Sequence, residues 1–171
     1  SMKNMIKLVA VVAFLLTAMG VSAQVKLGHI ETQKLIQAMP EMASARKTME
    51  TKQAEIEKEL TNMQEQFKVK LDEYSKNGKT MSDVIRASKE QELQELQQRI
   101  QSFQQIAMDN LEKTQAELMQ PIMDKALNAI KAVGKENGFT YIFDMSQGGI
   151  LFNADNTEDV LPLVKKKLGL Q

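Results

Sequence analysis

Lys76-Asn77-Gly78-Lys79 interrupts a polar helical pattern that otherwise runs from Glu41 to about Val133. Asn and Gly accept positive φ, so the chain can reverse here. On both sides of the break, apolar residues fall at heptad spacing. Before it, one row holds Met39, Leu60, Phe67 and Tyr74, with Arg46 and Gln53 as polar members. The other row holds Met42, Met49, Ile56 and Met63 and is closed by Lys70. After the break, Leu93, Ile100 and Ala107 alternate with Leu96, Phe103 and Asn110. Two narrow apolar stripes joined by a Gly-containing turn predict an antiparallel coiled-coil hairpin. At about 1.5 Å per residue each arm spans roughly 50 Å or more, so it protrudes from whatever holds its base. Ser82 is placed to cap the return arm, with Asp83 in its first turn.

The flanks of this hairpin read differently. Val25-Lys26-Leu27-Gly28-His29-Ile30 alternates as a strand, with Val25, Leu27 and His29 on one face. A short helical pattern through Leu35, Ile36 and Met39 meets Pro40, which is tolerated in the first turn of a new helix. Pro121 is expected to bend the second arm. Beyond it Ile122, Ala126, Ala129, Ile130 and Val133 widen the apolar stripe, and Asn137-Gly138 ends the helix. Phe139 to Asp144 and Ile150-Leu151-Phe152, joined through Gln147-Gly148-Gly149, predict a β-hairpin. Asn156 or Thr157 then caps a last helix, with Glu158 and Asp159 at its positive end and Lys165, Lys166 and Lys167 at its negative end.

The fold class that follows is α+β, mostly α: a long helical hairpin inserted into a small sheet body. Residues 24–40 supply the first part of the body, 41–120 the arm with its tip near 76–82, and 121–171 the rest of the body. Three short strands cannot bury both faces of a sheet. Self-association through the sheet is therefore expected. The body residues assigned to it are Val25, Leu27, Ile30, Phe139, Tyr141, Phe143, Ile150 and Phe152.

Composition narrows the function. The 171 residues include 5% aromatics and no Trp, which argues against a large compact core. Residues 1–23 have the form of a cleavable export signal: Lys3 and Lys7, a short apolar run from Leu8 to Ala18, then Val21-Ser22-Ala23. Ser1, ahead of Met2, reads as an expression remnant. Removing 1–23 leaves 20 basic and 22 acidic residues, a net charge of −2, which disfavours nucleic acid as a partner. The absence of Cys excludes disulfides and cysteine-linked lipid. His29 is the only His and is assigned to the body, with no metal or base role. No G-x-S-x-G, Walker loop or G-x-G-x-x-G occurs, and the carboxylates sit among bases on helix faces. No catalytic residue, cofactor or metal site is assigned.

Charge is uneven along the arm. Between Lys68 and Lys89 there are six bases (Lys68, Lys70, Lys76, Lys79, Arg86, Lys89) against three acids, and from Glu90 to Glu117 six acids against two bases. A basic tip therefore sits on an acidic shaft. With Val69, Leu71, Met81, Val84 and Ile85 nearby, the tip is a candidate contact for client chains, anionic lipid or lipopolysaccharide.

The chain resembles the Skp/OmpH family of periplasmic chaperones over nearly all of residues 24–171. The resemblance is carried by Lys26-Leu27-Gly28-His29-Ile30, Met39-Pro40-Glu41, Pro121-Ile122, Gly138-Phe139-Thr140-Tyr141-Ile142-Phe143-Asp144, Gly149-Ile150-Leu151-Phe152 and Asp155 to Val160. It implies a homotrimer with a β-barrel body and three arms around a cavity. It also implies an ATP-independent holdase for unfolded outer-membrane proteins, located in the periplasm. The family's lipopolysaccharide-binding residues have no counterpart that can be placed on this sequence. The alternative is an envelope adaptor that docks one partner through its arm tips. Arg46, Gln53, Lys70 and Asn110, as interruptions of the seam, favour pliant arms over a rigid spacer.

Overall fold

The computed structural model describes residues 25–170. The expected export signal at 1–23 lies outside them. The element order is β1 (Leu27–Ile30), α1 (Thr32–Ala38), α2 (Pro40–Asn77), a 3-10 turn (Gly78–Thr80), α3 (Asp83–Glu136), β2 (Tyr141–Asp144), β3 (Glu158–Asp159) and α4 (Leu161–Lys167). The chain is thus mostly helical with a three-stranded sheet.

Helices α2 and α3 have 38 and 54 residues and run antiparallel. Lys70 meets Glu92 near the tip, and Lys125 meets Glu41 near the base. The half-buried stripe on α2 passes through Met42, Ala45, Met49, Lys52, Ile56, Leu60, Met63, Phe67, Lys70 and Tyr74. Its spacing alternates three and four except for two consecutive fours at Lys52–Ile56–Leu60. On α3 the stripe runs Leu96, Ile100, Phe103, Ala107, Leu111, Thr114 and Leu118, with the same double four at Phe103–Ala107–Leu111. The two cross-helix ion pairs place both irregular steps at the same level of the hairpin. A four-residue insertion re-phases a heptad stripe, and here both helices re-phase together.

This corrects the strict heptad rows. Arg46, Gln53 and Asn110 are exposed, and Ala45, Lys52 and Leu111 take the seam positions beside them. A row counted in sevens drifts off the contact face wherever an extra residue enters. Of the four expected interruptions, only Lys70 lies in the seam.

The tip also departs from expectation. Gly78 has φ −58° and Asn77 φ −110°, so the reversal uses no left-handed residue. A short 3-10 turn and the extended Met81 and Ser82 carry the chain around. Ser82 caps α3 as expected, its Oγ accepting from Ile85 N at 3.4 Å. Helix α3 continues through Pro121 and ends before Gly138, which has φ +71°.

The expected β-hairpin does not form. β1 is the central strand, and both β2 and β3 pair with it in parallel, in the order β2-β1-β3. Ile150-Leu151-Phe152 is not a strand. The whole helical excursion acts as the crossover between β1 and β2, so the chain re-enters the sheet in its original direction. Glu158 and Asp159, expected in the last helix, instead form β3, and α4 begins at Leu161 with its N–H bonded to Asp159 Oδ1 at 2.9 Å.

One face of the sheet is covered. Ile30, Leu35, Met39, Ile122, Ala126, Val133, Val160 and Val164 form the core between sheet, α1, the base of α3 and α4. Gly28 belongs to this face because nothing larger fits. A Cβ there would stand 2.9 Å from Phe139 Cε1 and 3.0 Å from Val160 Cγ1.

Candidate functional site

Two surfaces at opposite ends of the hairpin could meet other molecules. The first is the tip. Tyr74 donates a hydrogen bond across the helices to Glu90, which pushes the phenol's pKa up. Lys70 donates to Glu92 Oε2 at 3.0 Å, and Lys89 stands 3.8 Å from the same oxygen. The Glu92 carboxyl is held below its usual range, first by the Lys70 hydrogen bond and then by the charges of Lys70 and Lys89. Arg86 reaches back over the turn. Its Nε donates to Gly78 O at 3.1 Å, Nη2 donates to Met81 O at 3.2 Å, and Nη1 lies 3.5 Å from Asp83 Oδ1.

The six tip bases therefore divide. Lys70, Arg86 and Lys89 are engaged within the hairpin. Lys68, Lys76 and Lys79 have no ion-pair partner among the described residues. Val84 is 81% exposed, and Val69, Leu71 and Ile85 are also exposed, while Met81 is half-buried. Lysines and uncovered apolar side chains thus share the tip. The dual engagement of Arg86 was not visible in sequence, because its acceptors are backbone carbonyls presented only by the folded turn.

The second surface is the uncovered sheet face. Parallel pairing sets Leu27 beside Tyr141 and His29 beside Phe143, all on the side away from the helices. Tyr141 and Phe143 stack at 5.9 Å between ring centroids. Tyr141 is 60% exposed, and Val25 and Phe143 are exposed as well. In the following segment Leu151 and Phe152 are 95% and 82% exposed. Leu27, His29 and Ile150 are half-buried.

Two of the assigned body residues face the other way. Ile30 is 1% exposed and packs in the core. Phe139 packs on Gly28, with the Lys26 ammonium 4.1 Å from its ring centroid. The strand expected over Val25–Ile30 put Leu27 and His29 on one face, and they do share it. That Ile30 lies on the opposite, covered side follows from the same alternation.

The two surfaces are joined through an anchored base. Asp144 ends β2 and accepts from Thr32 Oγ1 at 2.6 Å, Thr32 N at 3.2 Å and Ser146 N at 2.9 Å. Partial burial opposes ionisation of Asp144, but the Thr32 and Ser146 hydrogen bonds outweigh it and its pKa is lowered. Glu41, in the first turn of α2, is bonded by Lys125, which holds its carboxyl below the usual range. On either side of Ala45 an apolar groove opens between α2 and α3, one lined by Met42, Met49 and Met119, the other by Pro40, Pro121 and Ile122. No helix among the described residues is long and apolar enough to cross a membrane.

A family model described as "Outer membrane protein (OmpH-like)" matches residues 26–168. The chain is also similar to the Chaperone protein Skp of Pectobacterium atrosepticum, with 24% identity over 147 residues, covering 85% of this chain and 89% of that protein.

Proposed function

The chain belongs to the OmpH-like family, and from that membership we propose that it is an ATP-independent holdase chaperone of the periplasm that keeps unfolded outer-membrane proteins from aggregating. The observation that carries this is the pairing of an uncovered aromatic sheet face with a long, solvent-exposed arm on one small core. Copies of the chain associate through Tyr141, Phe143, Val25, Leu151 and Phe152 into a trimer whose sheets form a barrel. The arms, as coiled-coil hairpins, then surround a cavity. Residues 1–23 direct export and are removed.

The physics suits the role. A holdase without fuel must bind loosely and release. A cage of arms raises the effective concentration of many weak contacts without any tight pocket. Exposed Met108, Met123, Val84 and Ile85, with flexible lysines, adapt to varied client segments. The tip, through Lys68, Lys76 and Lys79, adds attraction for acidic clients, anionic lipid or lipopolysaccharide.

The test is dilution of a β-barrel protein from urea with light scattering as readout. Near-stoichiometric trimer should suppress the signal; unchanged aggregation sinks the holdase. The continuous seam favours a second possibility, a stiff adaptor that docks one defined partner by its tip. An adaptor leaves the scattering unchanged and shows saturable binding to that partner.

A further inference from the structure

The sequence holds two Asn-Gly pairs, Asn77-Gly78 at the tip and Asn137-Gly138 at the end of α3. Glycine has no side chain to shield its amide nitrogen, so that nitrogen can close on the carbonyl of a preceding Asn side chain. The fold treats the two pairs differently. Asn137 Nδ2 donates to Val133 O at 2.8 Å, and Lys26 Nζ donates to Asn137 O at 3.1 Å. The residues that follow are bound into the body, Phe139 N to Gly134 O at 3.0 Å and Thr140 N to Lys26 O at 2.8 Å. Asn77 is exposed at the free end of the hairpin. Its main-chain oxygen accepts from Thr80 Oγ1 at 2.8 Å, but its side chain makes no hydrogen bond among the described residues.

We propose that Asn77 is a site of spontaneous deamidation, closed by Gly78 and paced by Arg86. Gly78 N gives its proton to hydroxide and attacks Cγ of Asn77. The Cγ–Nδ2 bond breaks, and Nδ2 leaves as ammonia with a proton from water. The resulting five-membered imide takes up water at one of its two carbonyls. Addition at Cγ leaves an aspartyl residue; addition at the main-chain carbonyl leaves an isoaspartyl link, with the chain running through Cγ. Water is the only co-reactant. Either product places a carboxylate between Lys76 and Lys79, so the tip's six bases against three acids become six against four.

The closed turn holds the reaction back. Asn77 has ψ −10°, which keeps Gly78 N out of the plane the imide ring needs. That nitrogen also donates to Tyr74 O. Both restraints must be released before attack, so local opening of the tip sets the rate. Arg86 opposes the opening, with Nε on Gly78 O at 3.1 Å and Nη2 on Met81 O at 3.2 Å. Hydrogen bonds from a guanidinium are stronger than neutral ones. Once the turn is open, Lys76 and Lys79, without ion-pair partners among the described residues, favour the nitrogen anion. Asn137 has ψ 5° and needs the same rotation, but it must also give up its side-chain bond to Val133 O and the contacts that bind the next residues to the body.

The test is timed incubation of the purified protein at mildly alkaline pH, followed by peptide mapping with mass spectrometry that separates aspartyl from isoaspartyl products. Conversion at Asn77 should outpace that at Asn137 by about tenfold or more, because a free tip opens more readily than an anchored helix end. Arg86→Ala should speed conversion at Asn77 by about tenfold, the loss of charged hydrogen bonds across the turn. Gly78→Ala leaves the turn intact but crowds the attacking nitrogen, and should lose most of the conversion. An unchanged Asn77 in the wild type, or conversion at Asn137 that is as fast, overturns the assignment. Undiminished conversion in Gly78→Ala overturns the attack by Gly78 N, and an unaltered rate in Arg86→Ala overturns its control by Arg86.

Discussion

Adding one methyl group at Gly28 should cost this protein more than any other small change in the sheet. The new Cβ would meet Phe139 Cε1 at 2.9 Å, Phe139 Cδ1 at 3.0 Å and Val160 Cγ1 at 3.0 Å. Neither neighbour is free to retreat. Phe139 N donates to Gly134 O at 3.0 Å, and Val160 N donates to His29 O at 2.9 Å. Val160 is fully buried. Overpacking of such a site costs about 1–3 kcal/mol. For a chain of about this length that lowers the unfolding midpoint by roughly 4–8 °C at the middle of the range.

Gly78→Ala is the control. Its φ is −58°, and the nearest atom to an added Cβ is Tyr74 Cε2 at 3.7 Å. The substitution should be neutral or stabilising by about 0.4–1 kcal/mol, through the unfolded chain. Urea and thermal unfolding followed at 222 nm measure both. A Gly28→Ala protein within about 0.5 kcal/mol of wild type refutes the close-approach argument, that margin being typical of surface substitutions. A Gly78→Ala protein losing more than Gly28→Ala refutes the account of the tip.

Three further outcomes follow from the same contacts. Arg86→Ala removes donors from Gly78 O and Met81 O, so amide exchange should rise at the tip, around residues 77–85, with little change at the base; unchanged protection there counts against Arg86 as the staple of the turn. Glu41 and Glu92 have depressed folded-state pKa values, so their support for the hairpin is present above the ordinary carboxylate range and is lost as pH falls through the folded values. Acid unfolding should therefore be less steep in the Glu41→Gln, Glu92→Gln double variant, and an unaltered acid limb would show that these pairs contribute nothing. Reversing Lys68, Lys76 and Lys79 to Glu should weaken binding to anionic vesicles by about a hundredfold or more, from roughly 1 kcal/mol per base near such a surface, and equal binding removes the lipid role of the tip.

How much of this was visible beforehand depends on how far apart the interacting residues are. Ser82 as the cap of α3 and Gly138 beyond its end were legible, because a cap bonds its own next turn. The apolar stripes were legible as stripes, but not their shared change of phase. Counting by sevens from Met39 leads to Arg46 and Gln53, whereas the contacts lie at Ala45 and Lys52. A search for steps of three and four that allowed a double four would have found them. At the tip, composition marked the basic cluster, but only the folded turn shows that Arg86 is spent on carbonyls and that Lys68, Lys76 and Lys79 are not.

The sequence by itself determined the long helical hairpin, the place of its reversal and the alternating apolar character of β1 and β2. Each rests on hydrogen bonds and side-chain periodicity within a few residues along the chain. The tertiary structure alone decided that β1 lies between two parallel partners, that Ile150-Leu151-Phe152 stays uncovered, and that Glu158 and Asp159 belong to a strand. A Gly-rich link between two alternating segments favours a local hairpin. What overrides it here is the 54-residue helix that delivers Tyr141 to the side of Leu27, more than a hundred residues earlier in the chain. Pairing at that separation depends on where the helix ends in space, which no local pattern encodes.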